Sequence, residues 1–320
     1  MIVGDLALRF PDTIRYYRHE IRLGPAGNYQ FLIERSKGEY IAHLDGDDYW
    51  LPGKLKAQSK RLDDEPDCPA IYSNALCIND EGCLLGLFNN LQPDRFDLMG
   101  LLKRGNFLNH SSMLYRACYR GELLSWTPDF IDYRIHLYLS RFGNIGYLNA
   151  PFVGYRINSS GSMVVHQNDK VRLFYWIALC DIPPPLVRPE DLSKGMAEFM
   201  RSIFFRSVRI RSMHLLKIWW PRILDQAPAG RARLIAQACW SILRTATTED
   251  DFHTLPSTDR QHDDRCCTAM NLRRLIAPGA GSVLPHFATP SAYLALSAGD
   301  TQAPSYPTRG LTCQGWWRFS

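Results

Sequence analysis

The sequence predicts an α/β protein: a mixed sheet flanked by helices, with a helical appendage behind it. Three observations point there. Residues 39–44 form a short apolar run of strand length that ends on Asp45, Gly46, Asp47 and Asp48. Residues 54–62 then carry an amphipathic helical pattern, and residues 70–78 form a second apolar strand after a polar, Pro-bounded turn. Strands that alternate with helices build sheets whose ligand crevice lies beyond the carboxyl ends of the strands, and the acidic cluster falls there.

Three carboxylates in four residues are a poor way to end a purely structural strand. On an extended strand successive side chains point to opposite faces, which would send Asp45 and Asp47 to one side and Asp48 elsewhere or into a turn. Hard oxygen ligands in that arrangement suit Mg2+ or Mn2+. The alternative is a solvated acidic turn capping the next helix.

The flanks of the cluster separate the two readings. Residues 38–58, GEYIAHLDGDDYWLPGKLKAQ, resemble the pattern G-E-Y-I-x-x-L-D-x-D-D-x-W-x-P-x-K-L-x-x-Q of family 2 glycosyltransferases of the GT-A fold, with every specified position filled. The resemblance implies a Rossmann-like mixed sheet and a nucleotide-sugar donor. It also implies Mg2+ or Mn2+ on Asp47 and Asp45, with Asp45 touching the donor as well.

A second stretch agrees with the first. Residues 132–156 resemble D-x-x-x-x-L-x-L-x-x-x-G-x-I-G-Y-L-x-x-P-x-x-x-Y-R, the family's other signature, with Asp132 at the acidic position that supplies the catalytic base. An Asp at a helix start is otherwise a cap favoured by the helix dipole. Asp129 is the local competitor, and Ile131 stands where family members often carry a Glu. Arg156 either approaches the donor diphosphate or pairs with a surface carboxylate. Gly24, Gly27 and Asn28 resemble the family's Gly-rich entry to a helix, where Asn28 contacts the donor or caps the helix.

Elsewhere the expectations are plainer. Residues 14–17 read as a short strand, and residues 105–116 as an apolar strand bearing Asn109, His110, Ser111 and Ser112. These polar residues are expected to be structural, since no Gly-x-Ser-x-Gly elbow surrounds either serine. The segment 132–139 is a helix, and residues 144–148 are a strand. A phosphatase built on the Asp-x-Asp pair lacks the Thr or Val that usually follows.

The 320 residues are 46% hydrophobic and 22% charged, in the globular range, and a net charge of +5 is too mild to argue for nucleic acid. Nine cysteines show no C-x-x-C spacing, so neither a zinc site nor a redox motif is predicted. Reduced thiols suit a cytoplasmic protein, here also one at the inner face of the cytoplasmic membrane. No apolar run approaches the roughly 20 residues that span a bilayer.

The expected domains are a partial GT-A domain over residues 1–188, a basic amphipathic helical region over 189–246 and a disordered tail over 247–320. Family members open with a strand, a helix and a second strand before the part that resembles this chain. The resemblance thus implies an N-terminally truncated or frame-damaged reading, whose alternative outcome is a catalytically inactive binding remnant. Residues 201–222 mix arginines with aromatic and aliphatic side chains. Such a helix suits either an anionic membrane surface or packing on the catalytic domain, with breaks expected at Pro221 and near Pro228. The acceptor implied is carbohydrate or lipid-linked.

Overall fold

A computed structural model describes residues 2–127, 129–157, 168–247 and 311–316. Its helices are α1 (Ile2–Arg9), α2 (Gly24–Arg35), α3 (Lys54–Asp64), α4 (Leu98–Arg104), α5 (Arg120–Ser125), α6 (Asp132–Leu139), α7 (Asn168–Cys180), α8 (Pro189–Arg209), α9 (His214–Asp225) and α10 (Arg231–Thr247). The strands are β1 (Tyr40–Asp45), β2 (Tyr49–Trp50), β3 (Ala70–Ile78), β4 (Leu84–Leu87), β5 (Arg95–Phe96), β6 (Leu114–Arg116), β7 (Ile145–Arg156) and β8 (Leu311–Trp316). They form one mixed sheet in the order β2-β7-β3-β6-β1-β8, with β4 on β3 and β5 on β7.

The sheet is covered on both faces because β1 is apolar on both. Tyr40 and Ala42 face Leu62 of α3 together with Ile71 and Leu114. Ile41, one residue out of phase, joins Tyr29 and Ile33 of α2 and Ile135 of α6 in the larger core. β3 runs parallel to β7, while β6 lies antiparallel between β1 and β3. The carboxyl ends of β1 and β7 thus reach the same edge of the molecule, where β2 pairs Tyr49 with Gly154.

The mixed α/β architecture agrees with the fold read from the sequence, and four segments depart from their expected form. Residues 14–17 contribute only a bridge at Ile14, and the Tyr17 ring meets Phe31 of α2 edge-on at 5.2 Å instead of joining a ladder. Within 105–116 only Leu114–Arg116 is strand, because His110–Ser112 coils into a 3-10 turn. There Ser112 Oγ donates to the Asn109 carbonyl at 2.7 Å, a local bond that competes with sheet pairing. β7 continues past the expected end, carrying Pro151 through a register shift opposite Asn74. Finally, α9 runs through Pro221; the breaks fall at residues 210–213, where Arg211 has φ 51°, and at 226–230, the one expected near Pro228.

The apolar face of residues 201–222 is turned inward. Ile203, Leu215, Leu216 and Trp219 are buried in the larger core, which answers the open choice in favour of packing on the rest of the protein. A run of rings ties this region to α6: Tyr133 stacks on Tyr175 at 4.4 Å, Tyr175 on Phe199 at 4.9 Å, and Trp219 meets Phe199 edge-on at 5.5 Å. Among the described residues no helix is long and apolar enough to cross a membrane. The expected disorder of 247–320 lies outside the described residues except at β8, which pairs parallel to β1 with Tyr40 opposite Leu311.

Candidate active site

The acidic turn is built by β1 and closed by the chain itself. After Asp45 the backbone reverses, with the Asp48 N–H donating to the Asp45 carbonyl at 3.1 Å. The period of two ends there, and Asp48 closes the turn, the second of its two expected placements. Asp45 and Asp48 converge on Ser111. The Asp45 N–H donates to Ser111 Oγ at 3.0 Å, and that hydroxyl faces Asp48 Oδ2 at 2.5 Å and Asp45 Oδ2 at 3.3 Å. Trp50 and Gln58 hold the Ser111 segment in place. Their side chains donate to the carbonyls of Ser111 at 2.9 Å and Ser112 at 2.8 Å. Arg156, at the end of β7, donates its N–H to Asp48 Oδ1 at 3.0 Å and its Nε to the Asp47 carbonyl at 3.3 Å.

Burial pushes the Asp48 carboxyl well above the usual carboxylate range, and the charges of Asp45 and Asp47 push it further. The bonds from Ser111 and Arg156 act in the opposite direction. Asp45 and Asp48 meet at Ser111, with Asp47 in electrostatic range, and carboxylate oxygens are the donors that Mg2+ and Mn2+ prefer.

From Asp45 a row of buried imidazoles leads inward. His43, two residues earlier on the same strand face, places Nε2 3.2 Å from Asp45 Oδ1. Its ring lies 3.9 Å from that of His110, and His110 Nδ1 is 3.3 Å from His136 Nε2. His136 follows Asp132 by four residues on α6, so both project from one face of the helix. Ligand atoms of His110, Asp132 and His136 all lie within 4.8 Å of one another. Burial lowers the basicity of all three histidines and holds them neutral.

Asp132 begins α6 and is partly buried. Its Oδ1 accepts from Asn106 Nδ2 at 3.0 Å and from the Tyr133 N–H at 2.8 Å. Burial raises its carboxyl to about 6, and the charge of Asp45 adds to the rise. Asp129 is exposed and pairs with Lys170 at 3.4 Å.

The sequence profile described as Glycosyl transferase family 2 matches residues 2–86, which carry α2, β1, the acidic turn, α3 and β3. Over these residues the chain is similar to family 2 glycosyltransferases. The chain is also similar to an uncharacterized protein of Mycobacterium tuberculosis, 28% identical over 161 residues, 50% of this chain and 46% of that protein. An uncharacterized glycosyltransferase of Methanocaldococcus jannaschii is 26% identical over 107 residues, 32% of this chain and 36% of its own length. The UDP-Glc:alpha-D-GlcNAc-diphosphoundecaprenol beta-1,3-glucosyltransferase WfgD of Escherichia coli is 26% identical over 186 residues, 57% of this chain and 70% of its own length. The chain spans about half the length of the mycobacterial relative.

The geometry brings Asp45, Asp47 and Arg156 to one sheet edge. Asn28 stands apart from the expected cap, being the fifth residue of α2, where Leu23 precedes the first turn. Its Oδ1 meets His19 Nε2 at 3.1 Å, while its buried Nδ2 has no hydrogen-bond partner among the described residues. Sequence reasoning missed His43 and His136 and treated His110 and Ser111 as bystanders. The available signals were spacing: His43 sits two positions before Asp45, and His136 sits four after Asp132.

Proposed function

We propose that this glycosyltransferase domain moves a sugar from a nucleotide-sugar donor to a hydroxyl of a carbohydrate or lipid-linked acceptor, with inversion at the anomeric carbon. The observation that carries this reading is the buried path from Asp45 through His43, His110 and His136 to Asp132. Along it the charge of Asp45 is felt at the Asp132 carboxyl, which supports two acidic groups acting in one site.

In this reading Asp132 takes the proton from the acceptor hydroxyl as its oxygen attacks the anomeric carbon. The bond from that carbon to the leaving diphosphate breaks on the far side, which inverts the centre. A base so placed contributes roughly 10²- to 10⁴-fold. Its elevated carboxyl suits the task, being ionised at neutral pH yet more basic than a solvated aspartate. Asp45 and Asp47 would hold Mg2+ or Mn2+, which would supply positive charge against the charge developing on the leaving diphosphate. Arg156, tied to the Asp47 carbonyl, faces the same diphosphate, and Asn28 contributes to donor binding. Residues 1–188 form the catalytic domain and residues 189–246 its helical backing.

By analogy with the lipid-diphosphate substrate in the name of the E. coli relative, the setting is bacterial cell-surface polysaccharide or glycolipid synthesis at the inner face of the cytoplasmic membrane. A catalytically inactive binding module is the alternative. The two separate on one assay: donor hydrolysis or transfer with Mn2+, run beside Asp47→Asn and Asp132→Asn. Activity that depends on Mn2+ and falls in both variants supports the enzyme. Donor binding without turnover supports the module, and turnover indifferent to both changes removes these assignments.

A further inference from the structure

The facing nitrogens of His110 and His136 are 3.3 Å apart, long for a hydrogen bond between rings. That separation has another meaning. Two metal–nitrogen bonds of roughly 2.0–2.1 Å opening at a tetrahedral angle put their nitrogens about 3.3 Å apart. The Asp132 carboxylate completes a third corner, within 4.8 Å of both imidazoles. His110 and His136 are only 7% and 1% exposed, so little solvent competes for the space between them.

We propose that His110, His136 and Asp132 form a second cation site, selective for borderline metals of the Zn2+ class and distinct from the carboxylate site at Asp45 and Asp47. The donor chemistry separates the two. Two neutral imidazoles with one carboxylate are the ligand set of Zn2+, Co2+ and Ni2+, whereas Mg2+ prefers oxygen alone. Burial keeps both rings unprotonated, which is the form that binds metal. Asn106 and the Tyr133 N–H orient the carboxylate as outer supports. Three protein ligands leave a fourth position open.

The site has a consequence for catalysis that rests on the function proposed above. A cation held there occupies the oxygen with which Asp132 would accept a proton. Zn2+ then inhibits transfer even when Mn2+ saturates the acidic turn.

Co2+ titration of the full chain tests the binding directly. One equivalent should produce the strong visible bands of tetrahedral Co2+, and added Zn2+ should abolish them. At one equivalent of Co2+, His136→Gln and, independently, His110→Gln should remove these bands, while Asp47→Asn retains them. Wild-type protein without such bands, or bands that survive in either folded histidine variant, overturns the site. Inhibition is read separately, as the Zn2+ sensitivity of each protein relative to its own Zn2+-free rate. If the spectrum behaves as described but no transfer is seen under any condition, the functional reading fails and the metal site stands.

Discussion

Asn106 donates its side-chain amide to Oδ1 of Asp132 at 3.0 Å, on the same oxygen that accepts the Tyr133 N–H at 2.8 Å. Both bonds favour the charged carboxylate, against a burial that raises it to about 6. A base must be ionised, so kcat/KM should rise with pH and level off above about 6. Asn106→Ala removes one stabilising bond and should move that rise to higher pH. A pH–rate profile checks both, and a rate that does not change across this range would exclude Asp132 as the base.

The same carboxyl bears on stability. Its folded-state value lies above that of an unfolded chain, so its contribution is fully present below about pH 4 and is lost as pH rises through about 6. Asp132→Asn keeps the shape without the charge. The variant should be more stable than wild type at pH 7.5, by on the order of 3 kcal/mol, and show no such gain near pH 4. Urea unfolding at the two pH values measures the difference.

Ser111 joins Asp45 to Asp48 through one hydroxyl. Ser111→Ala leaves the Asp45 N–H and a buried Asp48 oxygen without this partner, at a cost of about 1–3 kcal/mol. Mn2+ affinity should fall alongside, because the turn loses the bond that sets the spacing of its carboxylates. Titration followed by the Mn2+ paramagnetic signal would show it, and unchanged affinity would mean that Ser111 serves stability alone.

Chelation offers a simpler check on the acidic turn. Transfer should disappear in excess EDTA and return with Mn2+. Asp47→Asn should remain at least about a hundredfold below wild type after Mn2+ is restored. Full activity in the chelator would remove the divalent cation from the proposal.

The helices after residue 188 should prove inseparable from the site. Trp219 is 4% exposed and sits edge-on to Phe199, so Trp219→Ala should destabilise the chain by about 3–5 kcal/mol. A chain ending at 188 should be insoluble or lack a cooperative thermal transition. A soluble, cooperatively folding 1–188 fragment would show that the amino-terminal part is an independent domain.

Much of this arrangement is legible in the residues alone, where local pattern and tertiary packing agree. β1, α3, β3 and α6 each have one periodicity and clear punctuation, and the structure places them where that pattern does. Legibility ends where short polar side chains compete with the backbone. Asn109 and Ser112 turn an apolar run into a 3-10 turn, and that turn is what sets Ser111 between two aspartates. The imidazole row was hidden for a different reason. His43, His110 and His136 come from three distant segments, and only the antiparallel pairing of β1 with β6 brings the first two together. Strand alternation could not show that Asp45 and Asp48 meet at Ser111, because a period of two does not survive a reversal of the chain.

The run of rings from Tyr133 to Trp219 means that the helix bearing Asp132 and the carboxyl-terminal helices share one mechanical support. Recombination that grafts a foreign tail onto this scaffold at residue 188 would slice through that support and loosen the wall on which Asp132 stands.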